Sequence, residues 1–349
     1  MSYAVRFALG IFCGLLLSVI AWAVLYASSF GFRGTPNAHY IANWFEQKAN
    51  IAAQTASPRI VIAGGSSAFY GLSAKRISET LGVRAVNYAT HGGLLLDYHL
   101  YKLRQILRPG DLLILPLEFE FYYLDERPQD ACIEYVLAAD PAYLRTLGFD
   151  QAVFWFLAPP SGLLAKRLFT SRATYQEALQ TVANQMKGFM DAFGDRAGHS
   201  SASMTESDKE FIRSFPAHEF PKRDDCLRAE HPWRHLRDFS AWCKAHQITI
   251  LAAYPNTIDD PSFHTDLGRR NLAKIRERFA SVGVPIIGNG CEALRPREDF
   301  YDSDYHLTEE GQKKRTDDFI TLLHPFLEKW QAAIPLRETQ SDRPQRYAR

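Results

Sequence analysis

The chain has 349 residues, 46% of them hydrophobic and 23% charged, with a formal net charge of +1. That composition excludes a disordered or low-complexity polypeptide, and the length suits one sizeable α/β domain with an insertion, or two modest domains. A near-neutral chain with no arginine-rich run between aromatics has no electrostatic case for binding nucleic acid.

From Phe7 to Phe32 there is no charged side chain. The stretch exceeds the roughly 20 apolar residues that a helix needs to cross a bilayer. Residues 1–33 therefore read as an N-terminal transmembrane anchor. A cleaved signal peptide is the rival reading: its apolar region is usually about 7–15 residues long, and although Ala27, Ser28 and Ser29 are small, Leu25 is a poor minus-three residue. Arg6 and Arg33 flank the segment, so the positive-inside rule barely sets an orientation. With the bulk of the chain after a lone anchor, the expected placement is a single pass through the inner membrane, the main domain in the periplasm or extracytoplasmic space. Inverted topology is the alternative. Cys132, Cys226, Cys243 and Cys291 form an even set that reads either as two disulfides or as four unrelated buried thiols.

Residues 34–57 read as a connecting helix, with Tyr40, Ile41, Trp44 and Phe45 at helical spacing. After Pro58 the continuous apolar run Ile60-Val61-Ile62-Ala63 ends in Gly64-Gly65, which suits a buried parallel strand meeting a tight turn. A helix near 73–82, a strand at 85–87, a helix over 94–107 stopped by Pro109-Gly110, and a third strand at 112–115 follow. Strand and helix in alternation predict a parallel sheet covered on both faces. The rhythm breaks from about 120 to 230, which reads as a mostly helical insertion with a helix around 173–193 and a polar loop around 198–207. It resumes with a helix around 233–246, the strand 248–251, a helix carrying Leu272, Ile275 and Phe279 on one face, the strand 284–287, and a final helix after Thr308. The α/β body thus runs over 58–330, and 331–349 is a polar tail.

Three segments carry candidate chemistry. Gly64-Gly65-Ser66-Ser67 follows the first strand, where open α/β sheets place their ligands. Asn87-Tyr88-Ala89-Thr90-His91-Gly92-Gly93 follows the second, and its glycine is suited to donate an amide to an oxyanion; His91 reads more readily as a loop histidine than as a catalyst. Before the last helix stands Tyr301-Asp302-Ser303-Asp304-Tyr305-His306-Leu307-Thr308. There Thr308 is a helix cap, His306 a candidate general base, and an upstream aspartate its orienting partner. Glu118, after the third strand, and Asn256, after the fourth, are candidates for lining the same edge, and with His91 they are the candidate substrate-binding residues. There is no Gly-rich phosphate loop, and histidines and cysteines lack metal-ligand spacing, so no cofactor and no metal are expected.

The order of the three segments resembles the SGNH (GDSL-like) hydrolase superfamily over about 59–326, in its membrane-anchored envelope branch. The resemblance implies a three-layer, flavodoxin-like parallel sheet with Ser66 as nucleophile, His306 as base, and Asp302 or Asp304 completing the triad. It also implies the Ser66 and Gly92 amides as oxyanion donors. Gly71 stands about where the family often has another glycine. Three positions depart from the family pattern. Ser303 occupies the usual aspartate position, with Asp302 the favoured substitute. The third-block Gly-x-Asn-Asp is absent, leaving Glu118 facing the site. Gly65 replaces the first-block aspartate. The activity implied is that of a serine esterase or O-acyltransferase on acyl esters of envelope polysaccharide or glycolipid, with a membrane-bound acyltransferase as a further partner. The alternative is a non-catalytic member of the fold that binds glycan or docks on such an acyltransferase.

Overall fold

The computed structural model describes residues 2–31, 36–123 and 127–333. Arg33 and the polar tail beyond 333 lie outside these.

Seven strands occur among the described residues: β1 (Ile60–Ile62), β2 (Ala85–Asn87), β3 (Leu112–Pro116), β4 (Thr249–Ala253), β5 (Thr257–Ile258), β6 (Ile286–Ile287) and β7 (Leu294–Arg295). Five make an all-parallel sheet in the order β2-β1-β3-β4-β6. Successive side chains of a strand point to opposite faces, and both faces here are apolar. Val61, Leu113, Leu115 and Ala252 enter one core cluster, while Ile60, Ile62, Leu112, Ile114 and Leu251 enter another. Continuous runs of β-branched and aliphatic residues are what such double burial requires.

The helices are α1 (Tyr3–Ser28), α2 (Pro36–Gln54), α3 (Ser66–Gly71), α4 (Ala74–Leu81), α5 (Leu96–Ile106), α6 (Asp130–Ala139), α7 (Phe149–Leu157), α8 (Ser161–Phe169), α9 (Arg172–Gln185), α10 (Glu206–Ser214), α11 (His231–Ala245), α12 (Asp266–Ser281) and α13 (Glu309–Ala333). Apolar residues of α2, α5, α11 and α12 cover one face of the sheet, and those of α3, α4 and α13 cover the other. The chain is therefore α/β, with helical layers on both sides of a parallel sheet. The strand order reverses direction between β1 and β3, which opens a crevice at the carboxyl ends of those strands.

The region 120–230 holds α6 to α10. The helix expected over 173–193 is α9, which stops at Gln185 because the chain turns through Gly188 at φ +72°. The strand expected from Val284 is shorter. The Val284 amide closes the end of α12 on the Phe279 carbonyl and Pro285 has no N–H, so the ladder begins at Ile286. Thr308 caps α13 as its sequence suggests, its hydroxyl accepting from the Gly311 amide at 3.1 Å. All five cysteines are free thiols, with Cys132, Cys226 and Cys243 buried and Cys13 and Cys291 exposed. The two-disulfide reading is therefore not what the fold contains.

Helix α1 is long and apolar enough to cross a membrane, and none of its residues is buried. Helix α2 is tied into the body by a buried lysine. Lys48 Nζ donates to the Asn87 carbonyl at 3.0 Å and the Gly194 carbonyl at 2.7 Å, and sits 3.8 Å from the centre of the Phe69 ring. Asp195, next to Gly194, accepts from the Ala74 and Lys75 amides at the start of α4.

Candidate active site

Ser66 is the first residue of α3, a helix too short to leave a periodic signal, and it lies half-buried at the end of β1. Glu118, two residues after β3, reaches under this turn. One of its carboxylate oxygens accepts from the Gly65 amide at 3.1 Å and the other from the Ser67 amide at 2.7 Å. Both amides flanking Ser66 are thus taken by one side chain. The Ser66 amide itself donates to nothing among the described residues. Burial pushes the Glu118 carboxyl up to about 7, against the pull of those two amides, and the charge of Glu120 adds to the rise.

Gly92 stands opposite. A Cβ on it would lie 3.8 Å from Ser66 Oγ and 3.2 Å from Glu118 Oε1. The Gly92 amide likewise has no acceptor among the described residues, whereas the next amide, of Gly93, donates to His91 Nδ1 at 2.9 Å. The two unused amides therefore belong to residues that flank the Ser66 hydroxyl. His91 accepts that bond, lies near Trp44 with ring centres 6.2 Å apart, and has its pKa lowered by burial and then by His306. It shapes the loop as a neutral ring.

His306 lies at 2.5 Å from Asp302 through Nδ1. An ionised carboxylate only accepts, so in this contact Nδ1 is the donor, and Nε2 is the ring nitrogen not engaged by Asp302. The ring stacks on Tyr70, with centres 4.1 Å apart and planes 11° from parallel. Ser66 and Tyr70 are four apart on α3, hence on one face of it, and it is Tyr70 that His306 contacts. No hydrogen bond joins the Ser66 hydroxyl to His306. Asp304 turns away. Its carboxylate lies 3.9 Å from His218 Nε2, and burial raises its pKa against the pull of that histidine. Of the two aspartates left open by the sequence, Asp302 is the one on the imidazole.

Asn256 does not offer a free donor to the site. It ties two loops together: its Nδ2 donates to the Tyr305 carbonyl at 2.6 Å, and its Oδ1 accepts from the Ser67 hydroxyl at 3.4 Å. The residue after Ser66 and the residue before His306 thus hang from one buried amide. Gly71 makes this possible, since a Cβ there would overlap Asn256 Oδ1.

Sequence reasoning missed a second polar group beside the site. The Tyr305 hydroxyl donates to Glu120 Oε2 at 2.7 Å, and His218 Nε2 lies 3.1 Å from Glu120 Oε1 and 2.7 Å from the Tyr305 hydroxyl. The Phe220 amide occupies His218 Nδ1. Burial raises the Glu120 carboxyl, but the His218 and Tyr305 bonds outweigh it and hold it below the usual carboxylate range. No local spacing announces this network, because its members come from three separate loops. Tyr70 did have a signal, its i+4 offset from Ser66.

From Gly92 and Gly93 an open cleft runs outward between Leu95, Phe121, Arg127 and His235. Compared with models of known protein families and with curated proteins, the chain matches none.

Proposed function

We propose that the chain is a membrane-anchored serine ester enzyme of SGNH type, an esterase or O-acyltransferase acting on acyl esters of envelope polysaccharide or glycolipid. In this reading α1 crosses the inner membrane and the body stands on its outer side. One observation carries it. Ser66 sits between amides that Glu118 has consumed, while its own amide and that of Gly92 remain unused, and Tyr70 of the same helix stacks on an imidazole whose Nδ1 is already held by Asp302.

Ser66 Oγ attacks the ester carbonyl and passes its proton to His306 Nε2, which returns it to the departing alcohol. Asp302 holds the imidazolium. The Ser66 and Gly92 amides receive the developing oxyanion, and each such donor is worth about 2.7–4 kcal/mol in the transition state. Water then completes hydrolysis of the acyl-serine, or a sugar hydroxyl completes transfer.

A second reading has one observation in its favour: Glu118 places a carboxylate next to the glycine of the oxyanion site, and an ionised carboxylate there opposes a developing negative charge. On that reading the chain is a non-catalytic envelope component that binds glycan or docks on a membrane acyltransferase. A serine-reactive fluorophosphonate probe separates the two. Labelling of the folded wild type that disappears in Ser66→Ala supports the enzyme, and absence of labelling in the folded wild type supports the binder.

A further inference from the structure

Helix α1 does not leave the body at its end. Trp22, Ala23, Leu25, Tyr26, Ser28 and Ser29 are half-buried, while its earlier residues are exposed. What covers them is the α7–α8 hairpin. Trp22 Nε1 donates to the Phe156 carbonyl at 2.8 Å, and the Tyr26 ring meets the Phe156 ring edge-on at 5.1 Å. The Gly31 amide then bonds the Leu137 carbonyl at 3.1 Å, so the helix is fixed to the body at two places.

The free part of α1 is too short for a bilayer. From Phe7, after Arg6, to Ala21 are 15 residues, about 22 Å at the helical rise, roughly 8 Å less than a hydrocarbon core of about 30 Å. Filling that thickness takes the helix to about Tyr26, which is the stretch that α7–α8 already covers. The hairpin's outer face fits such a depth. Phe149, Val153 and Leu157 recur at i, i+4 and i+8 on α7, 81%, 41% and 62% exposed, and Phe169 at the end of α8 is 85% exposed. In water these are a liability; at a lipid boundary they are an amphipathic interfacial face.

We propose that the α7–α8 hairpin is a second membrane contact, lying in the headgroup boundary of the bilayer that α1 crosses, with Phe149, Val153, Leu157 and Phe169 against the acyl chains. The occupant of this face is lipid. The inference rests on the anchoring part of the reading above. It gives the site a lipid-side mouth: a groove between Leu95, Arg127, Phe154 and Trp155 adjoins the cleft from Gly92 through Leu95, Asp97 and Arg127.

The test uses the full chain with Cys13→Ser and Cys291→Ser, which leaves only the buried thiols. Leu16→Cys, Phe149→Cys, Leu157→Cys, Phe169→Cys and Phe211→Cys are labelled singly with nitrobenzoxadiazole. Each is reconstituted in phosphatidylcholine–phosphatidylglycerol vesicles with and without doxyl-labelled lipid, the spin label shallow for the hairpin and Phe211 positions and deep for Leu16. Phe211 is an exposed residue of α10, outside the hairpin. Doxyl lipid is expected to quench the three hairpin positions at least about twofold more than Phe211. Hairpin labels quenched no more than Phe211, with Leu16 strongly quenched, overturn the hairpin contact and leave the anchor intact. An unquenched Leu16 overturns the anchor itself.

Discussion

The Glu118 carboxylate occupies the space that a side chain on Gly65 would need. A Cβ at residue 65 would collide with both of its oxygens and come within 2.6 Å of the Gly92 Cα. One acidic group is accommodated beneath the Gly65–Ser67 turn, and it arrives from the end of β3 instead of from the turn itself. Gly65→Asp is therefore expected to destabilise the protein by at least about 2 kcal/mol, from overpacking and carboxylate repulsion. Glu118→Ala in the same chain should relieve part of that loss. Thermal melts of the two single variants and the double variant measure the coupling; strict additivity would show that the two positions do not compete.

Glu118 also makes stability depend on pH. Its folded pKa, about 7, lies above the ordinary 4.5, so the folded protein binds the proton more tightly. The stabilisation it brings is full below about 4.5 and is lost as pH rises towards 7, amounting to roughly 3 kcal/mol over that window. Glu118→Gln removes the titration. The stability difference between wild type and variant, from urea unfolding at a series of pH values, should therefore shift against wild type between pH 4.5 and 7. A constant difference would place the Glu118 titration elsewhere.

The two aspartates near His306 are expected to differ sharply. Asp302→Asn removes the acceptor that fixes the imidazole tautomer and should lower kcat/KM by about 10²–10⁴-fold. Asp304→Asn should leave kcat/KM within about tenfold, because its carboxylate faces His218. Steady-state hydrolysis of a chromogenic acetyl ester reads both, and equal losses would contradict the assignment.

Asn256 links the turn after Ser66 to the loop before His306. Asn256→Ala is expected to lower stability by about 1–3 kcal/mol, since it strands buried hydrogen-bonding groups. It should also slow fluorophosphonate labelling of Ser66. Gly71→Ala, which presses on the same amide from the other side, should reproduce both effects. Unchanged labelling rates in both variants would mean that the tie does not position the serine.

The sheet was largely legible in the sequence because its strands are short continuous apolar runs bounded by glycine and proline, as at Ile60–Ile62 and Leu112–Pro116. The approach of Ser66 and Gly92 was legible for a related reason. In a parallel sheet the loops after the strands share one edge, so residues far apart in sequence are collected by topology alone. The choice between Asp302 and Asp304 was not settled by spacing, since either stands within reach of His306 and only the direction of the loop decides. The tie made by Asn256 and the Glu120–His218–Tyr305 network were not legible. Their partners lie 49 to 189 positions apart, and no periodicity connects them. The pair β5–β7, two residues each, was too short to leave a pattern.

The buried amine of Lys48 changes how residues 34–57 are regarded. A stalk between an anchor and the α/β body would be dispensable, yet this segment supplies a hydrogen-bond donor to carbonyl oxygens of Asn87 and Gly194, groups 39 and 146 positions further along the chain. Cutting just before β1 would strip those oxygens of their donor and uncover the Phe69 ring. The natural starting point for a shortened, water-soluble version is thus ahead of Pro36.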